Sequence, residues 1–461
     1  MTLKKDDRIE CAIESLAFGG RGVARVDGMA VFVAGGLPGD TVSARVTRAK
    51  KRFAEAEAVA VLAPSAHRVQ PRCAHFGICG GCALQDLAYA EQVAQKGAQV
   101  ESALRRIGRV EDLAMDPPLP SPEEWGYRNK MEFAFEQRED GLHLGLRANA
   151  LGGSHDLPPV VDIAECHLCA PRDVEILALA RDFCRDSGAD AYDPRTGEGF
   201  WRHLVVRHTL AGEVMVHVIT SPDDTHFALV QALGEALLEA FRTLTSFVHS
   251  LRSRRSALAV GEKIIARIGP KVVEERLARG DGEVRYHLSP NSFFQTNSAG
   301  AAQLFRTVAE FGAFEGGETV LDLYCGIGAI AIFLADRVGC VVGVELSEEA
   351  VAKAFESAKL NGVRNARFFA ANLDDGLEGL GELPRPDVVV VDPPRSGMSP
   401  KMAEAVLALA PEKILAVSCD PATLARDVDR LSDAYELKRA CAVDLFPHTH
   451  HIETVVLLVR R

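Results

Sequence analysis

The chain has no uninterrupted apolar stretch of the roughly twenty residues that a membrane-spanning helix needs. Its start, MTLKKDDRIE, is charged and has no apolar core, so a signal peptide is not expected and a cytoplasmic location is. Internal repeats and low-complexity tails are missing. So is any excess of positive charge: the formal net charge is −12, which argues against indiscriminate polyanion binding over the whole surface. Local basic clusters remain at RVTRAKKR (45–52), RRIGR (105–109) and RSRR (252–255). Eleven cysteines spread over 461 residues are too sparse for a disulfide scaffold. In a reducing compartment they read as metal ligands, a nucleophile and small core residues.

What is present points to several domains, because a chain this long exceeds what one hydrophobic core can serve. Residues 5–62 alternate apolar and polar positions, with glycine turns every eight to ten residues. That pattern predicts a small antiparallel barrel. An amphipathic helix is predicted over 89–108, a proline-rich connector over 116–129 and another helix near 171–187. From about residue 290 the apolar runs TVLDLYC, CVVGVEL, ARFFAAN, DVVVVDPP, KILAVSC and TVVLLVR alternate with helical stretches. This is the signature of a doubly wound, mostly parallel α/β sheet. The expected division is a barrel at 1–62, a central α+β domain at 63–289 and a catalytic domain at 290–461.

The strand-to-turn segment VLDLYCGIGAIAI (320–332) carries Gly326 and Gly328, which allow a tight turn and close backbone approach to a ligand. With Ala331 they also satisfy a dinucleotide pattern, so NAD competes. Glu345, ending the next strand, suits ribose hydroxyls in either cofactor class. Asp392 in VVVVDPPRSG discriminates better and favours S-adenosylmethionine (SAM). Asp322 is expected to anchor the cofactor loop.

Six segments then carry a family resemblance: NSFFQTN (291–297), DLYCGIG (322–328), VVGVE (341–345), DPPR (392–395), SCDPATLARD (418–427) and FPHTHHIETV (446–455). In order and spacing they resemble the RNA (uracil-5-)-methyltransferases, and the whole chain looks like the ribosomal-RNA type with a TRAM barrel and an iron–sulfur cluster. The resemblance implies Gln295, Tyr324, Glu345 and Asp392 as SAM-binding residues. It also implies Cys419 as nucleophile and Glu453 as proton acceptor. Carbon 5 of uracil is a poor nucleophile until a thiolate adds at carbon 6, and a base must then remove the C5 proton. The microenvironment of Cys419 should favour the thiolate or move its proton on attack. His448 is expected to orient the base or the flipped nucleotide, and a metal at His448, His450 and His451 is not expected.

Cys73-x5-Cys79-Gly-Gly-Cys82 supplies three thiols and ECHLC (165–169) a distant fourth. Four thiolates suit zinc or an iron–sulfur cluster alike. The resemblance implies a 4Fe–4S cluster on Cys73, Cys79, Cys82 and Cys166, with Cys169 as the rival fourth ligand. RNA is expected to meet the barrel and RVTRAKKR, with Phe18, Phe32 and Phe53 as stacking candidates, although core packing is expected for at least two of them. Arg128, Asn129 and Lys130 are also expected against RNA. The expected substrate is 23S rRNA, with tRNA as the alternative. An NAD-dependent oxidoreductase would leave DPPR and SCDP unexplained, and a noncatalytic iron–sulfur RNA-binding module would leave Cys419 and Glu453 without a purpose.

Overall fold

The structure, a computed structural model, describes residues 3–149, 157–377 and 384–461. Strands β1 (Arg8–Leu16), β2 (Gly22–Val26), β3 (Met29–Ala34), β4 (Thr41–Ala49) and β5 (Phe53–Ala63) close a barrel in the order β1-β2-β3-β5-β4. Period-two alternation sends Ile13, Ala24, Val31, Val33, Val42, Ala44, Val46, Ala54 and Ala56 inward. Phe32 and Phe53 occupy the opposite parity, so they stand outside the barrel, edge-on to each other at 5.8 Å. Phe18, in the β1–β2 turn, is 42% exposed. The expectation of core packing for two of these rings is therefore corrected: smaller neighbours take the interior.

A single buried carboxylate locks the barrel to the segment after β5. Asp40 accepts from the backbone N–H of Leu37 at 2.7 Å and of Ser65 at 2.8 Å, and from Arg68 Nη2 at 2.7 Å. Burial alone would raise its pKa, but the Arg68 hydrogen bond and the backbone donors overcome this and hold it low.

Helix α1 (Tyr89–Arg106) comes next and docks mainly on the C-terminal region. Its Val100 and Leu104 join a core with Leu424 and Val428 of the C-terminal region. The central region contains β6 (Lys130–Arg138), β7 (Gly141–Arg147), β8 (Val160–Val161), α2 (Pro171–Asp186), β9 (Trp201–His208), β10 (Val214–Thr220), α3 (Phe227–Ala240), β11 (Leu244–Leu251) and β12 (Lys263–Ile268). Its strands form one sheet ordered β12-β11-β10-β9-β6-β7-β8. Ile176 and Leu177 of α2 and Leu233 and Leu237 of α3 cover one face, against Phe133, Leu204, Val216 and Val218.

The hairpin β13 (Val273–Arg279) and β14 (Gly282–Leu288) packs into the core of the last sheet, beside Phe305 and Phe333. Tyr286 adds a hydrogen bond from its hydroxyl to Ala329 O at 2.8 Å. That sheet is built from α4 (Ser298–Gly312), β15 (Thr319–Leu323), α5 (Ala329–Leu334), β16 (Cys340–Glu345), α6 (Glu348–Leu360), β17 (Ala366–Ala370), β18 (Val388–Val391), α7 (Pro400–Leu409), β19 (Lys413–Ser418), α8 (Pro421–Leu431), β20 (Tyr435–Val443) and β21 (Glu453–Arg460). Its order is β17-β16-β15-β18-β19-β21-β20, parallel except for the antiparallel β21. Val388–Val391 is buried on both faces, as a central parallel strand must be. Strand order reverses between β15 and β18, which opens a crevice at the strands' carboxyl ends. Among the described residues no helix is long and apolar enough to cross a membrane.

Replacing Asp40 by Ala strands a partly buried guanidinium that keeps only Asp86 as a carboxylate partner, at 2.9 Å. We expect Asp40→Ala to cost about 3 kcal/mol, the lower end for breaking a buried pair. Urea denaturation followed through the barrel should show the earlier midpoint.

Candidate active site

A cavity of 1030 Å³ lies over that crevice, and Gln295, Tyr324, Glu345, Asp392, Cys419 and Glu453 all line it. The carboxyl ends of β15, β16, β18 and β19 deliver Tyr324, Glu345, Asp392 and Cys419, the start of β21 delivers Glu453, and the loop before α4 delivers Gln295. After β15 the backbone turns left-handed at Tyr324 (φ 64°), Gly326 (φ 56°) and Gly328 (φ 74°). A Cβ on Gly328 would also sit 2.9 Å from the Phe368 ring, so only glycine fits. The turn is fixed from below by Asp322, whose Oδ2 accepts from Ala331 N at 3.0 Å, which is the anchoring role expected of it. Glu345 bridges the turn to the next segment, its two oxygens accepting from Gly326 N at 3.1 Å and Ser347 N at 2.9 Å. Each oxygen keeps a lone pair for a ligand. Gln295 is held by its neighbours: Asn129 Nδ2 donates to its carbonyl at 3.0 Å and to Ser298 Oγ at 2.7 Å.

Cys419 and Glu453 meet through sheet register. Strand β19 pairs antiparallel with β21, and Ser418 faces Thr454. The next residue of one strand therefore stands beside the preceding residue of the other, at the open end of the sheet. Burial and then the neighbouring Glu453 push the Cys419 thiol up to about 11, opposed by Arg395. Glu453, only 4% exposed, is raised well above the usual carboxylate range by burial and then by Asp392, again opposed by Arg395. Burial brings Asp392 up to about 7. Burial thus favours the neutral form of both the thiol and the Glu453 carboxyl. Of the two sequence-based options for Cys419, this environment agrees with proton loss on attack rather than a standing thiolate.

The loop before Glu453 is tied down from several directions. Lys96 Nζ on α1 donates to Asp444 Oδ1 at 2.7 Å and to Phe446 O at 3.0 Å. Tyr127 Oη donates to Pro447 O at 2.9 Å. His448, also left-handed (φ 64°), accepts on its carbonyl from Ala83 N at 2.9 Å and Leu84 N at 3.0 Å. Its ring stacks on Trp125 at 3.7 Å and is 3% exposed. His448 does not line the cavity; it anchors the loop, which corrects the orienting role expected for it. His451 lines the cavity instead. Burial drives its pKa down to about 3, so its neutral Nδ1 can accept from Arg395 Nη2 at 3.3 Å.

Sequence reasoning also missed Asn372, Phe293 and Glu132 in the cavity wall. Asn372 lies two residues beyond β17, and the rule that ligands gather at strand carboxyl ends would have found it. Phe293, 72% exposed in NSFFQTN, announces itself only by its exposure. Of the trio expected against RNA, Arg128 and Lys130 line the cavity, whereas Asn129 is buried as a structural clamp.

A second, small cavity is ringed by Cys73, Cys79, Cys82 and Cys166, with Arg128 in the wall between the two cavities. Gly80 makes the loop possible, since a Cβ there would lie 3.0 Å from the carbonyls of Arg147 and Ala148. Clamps join the loop to the distant segment: Ala74 N donates to Glu165 Oε1 at 2.6 Å and Ala164 N to His75 Nε2 at 3.0 Å. Cys169 is buried in the central core and does not line this cavity. Among the described residues no group of three or more His, Cys, Asp or Glu, including His448, His450 and His451, is arranged to hold a metal ion.

The fold and the cavity define a SAM-dependent methyltransferase, and comparisons with known proteins narrow the class. Residues 250–461 match the family model described as tRNA (Uracil-5-)-methyltransferase, and residues 7–59 match the TRAM domain. An uncharacterized RNA methyltransferase of Nitratidesulfovibrio vulgaris is 41% identical over 98% of this chain and 95% of its own. One from Porphyromonas gingivalis is 38% identical over 97% and 99%. The crystal structure of Pyrococcus abyssi tRNA (uracil-54, C5)-methyltransferase in complex with S-adenosyl-L-homocysteine superposes with a TM-score of 0.73 at 31% identity, covering 98% of this chain and all of that one. The chain belongs to the RNA (uracil-5-)-methyltransferase family.

A thiol pushed up to about 11 is mostly protonated at neutral pH, and its thiolate fraction grows about tenfold per pH unit below that value. Iodoacetamide labelling of Cys419 in the ligand-free protein, read by peptide mass spectrometry, should rise by about that factor per unit from pH 7 to 9 without a plateau.

Proposed function

We propose that the protein methylates carbon 5 of a uridine in 23S rRNA, with Cys419 as nucleophile and Glu453 as base. The observation that carries this reading is the pairing of Cys419 with Glu453 on a cavity that Gln295, Tyr324, Glu345 and Asp392 also line. In our reading those four, joined by Asn372, hold SAM. When bound, SAM supplies an electrophilic methyl group on a sulfonium cation.

The Cys419 thiol gives its proton to water as Sγ adds to C6 of the uracil, leaving an enolate with electron density at C5. C5 then takes the methyl group, and the sulfonium becomes a neutral thioether. Glu453 removes the C5 proton, and the returning electron pair expels Cys419 Sγ. Electrostatics suit this order. A sulfonium in the cavity favours ionised Glu453 and Asp392. Methyl transfer removes that cation, so the proton affinity of Glu453 rises just when a base is required. A stacked base hides its ring face from a thiol, so the uridine must be flipped or splayed into the cavity.

The four thiols that ring one cavity suit zinc or an iron–sulfur cluster alike, and the family resemblance favours the cluster. Cys73, Cys79, Cys82 and Cys166 would hold a 4Fe–4S cluster, whose part in methyl transfer is structural because the reaction needs no electron. The barrel together with this thiol site supports rRNA as substrate. The likeness to the Pyrococcus abyssi tRNA enzyme supports tRNA as the second reading. An RNA substrate implies action in the cytoplasm.

Cys419→Ala should abolish both methyl transfer and the covalent RNA adduct while SAM affinity, measured by calorimetry, stays within about twofold. Glu453→Gln should still add to the ring but stall elimination, leaving a protein–RNA band on denaturing gels. Undiminished turnover by the cysteine variant contradicts the mechanism. For the thiol site, anaerobically purified protein should contain iron and acid-labile sulfide in equal amounts; zinc alone refutes the cluster. Mass-spectrometric mapping of 5-methyluridine in rRNA and tRNA from a strain lacking the gene decides between the two substrates.

A further inference from the structure

A row of rings leads out of the catalytic cavity onto the barrel. Phe446 and His451 line the cavity, with centroids 5.8 Å apart. His451 lies 4.3 Å from His450, and His450 meets Phe18 edge-on at 6.1 Å and 86°. Phe18 is 42% exposed, so part of its ring is open to solvent. The barrel turn is seated closely against this row: a Cβ on Gly20 would lie 3.5 Å from the Cβ atoms of both His450 and Ala83. Leu16 N at the end of β1 also donates to Gln95 Oε1 on α1 at 3.0 Å.

We propose that these rings are the path of the RNA strand on one side of the target uridine, with Phe18 as the stacking platform for an unpaired flanking base. The inference rests on the proposed function and gives the substrate a direction of exit. A uridine inserted beside Cys419 must continue as chain on both sides, and His451 and Phe446 belong to the cavity and to the row alike. Stacking on aromatic faces holds single strands without reading sequence. Burial lowers the pKa of both histidines, so at neutral pH they are uncharged rings suited to bases rather than cations suited to phosphates. Arg395, which contacts His451, is the neighbouring group for a phosphate.

The test uses a labelled single-stranded RNA of roughly twelve nucleotides, adenosines around one central uridine, and fluorescence anisotropy with the full chain. Phe18→Ala and Phe18→Leu should each raise Kd about tenfold, while Phe18→Trp restores the wild-type value. Leucine keeps apolar bulk but has no ring, so its loss separates stacking from packing. The slope of log Kd against log salt should not change, because no phosphate contact is lost. With abasic sites on the flank that runs along the rings, wild type should weaken about tenfold and Phe18→Ala hardly further. Wild-type affinity in the alanine or leucine variant overturns the proposal, as does failure of the wild type to bind this RNA. Binding is independent of chemistry: a protein that grips the strand through Phe18 yet forms no Cys419 adduct keeps this inference and loses the proposed reaction.

Discussion

The antiparallel pairing of β21 with β19 is the constraint on which the site depends. In an otherwise parallel sheet each strand end presents its residues to the crevice separately. Reversing one strand brings the start of β21 to the same edge as the end of β19, so Glu453 arrives beside Cys419. No loop has to close over the substrate to assemble that pair. The register is held by six consecutive residue pairs from Lys413–Val459 to Ser418–Thr454, in strands buried nearly throughout. A slip of one residue would invert the faces of a strand packed on both sides.

Such a pair still needs its approach loop held, and the remaining domains converge there. Helix α1 contributes Lys96 and Gln92, the latter accepting from His448 N at 2.8 Å. The cysteine loop contributes two backbone donors, the connector contributes Trp125 and Tyr127, and the barrel turn seats against His450. The thiol-lined cavity is consequently one residue along the chain from a direct contact with the loop before Glu453, because Cys82 precedes Ala83. Loss of order at the cysteines would reach Glu453 through hydrogen bonds rather than through any electronic route.

Much of this was legible in the sequence where the signal is local. A buried strand ending in a carboxylate or a cysteine places that group at the crevice, which is why Glu345, Asp392 and Cys419 could be read from their own neighbourhoods. The glycine turn at 326–328 is similarly local, because positive φ and close approach demand that residue. The unread parts depend on partners distant in sequence. Strand β20 and the β13–β14 hairpin carry alternating charges, as in VEERLAR and YELKRACAV, and read as solvated until the opposite face is known to be covered. An amphipathic helix declares that it has a partner but not which one, so the docking of α1 on the C-terminal sheet was hidden. Asn129 and His448 look like substrate-facing polar groups, and only the fold reveals that they are buried braces. Phe32 and Phe53 were misjudged because hydrophobicity was weighed over strand parity.

The account stands on a transient bond between Cys419 and the pyrimidine ring, and one measurement addresses it directly. RNA carrying 5-fluorouridine offers fluorine where Glu453 expects a proton, so elimination cannot proceed. Mass spectrometry of the digested complex formed with such RNA and SAM should find the Cys419 peptide bearing one methylated fluorouridine nucleotide. An unmodified Cys419 peptide, or the nucleotide on any other cysteine, would contradict the mechanism.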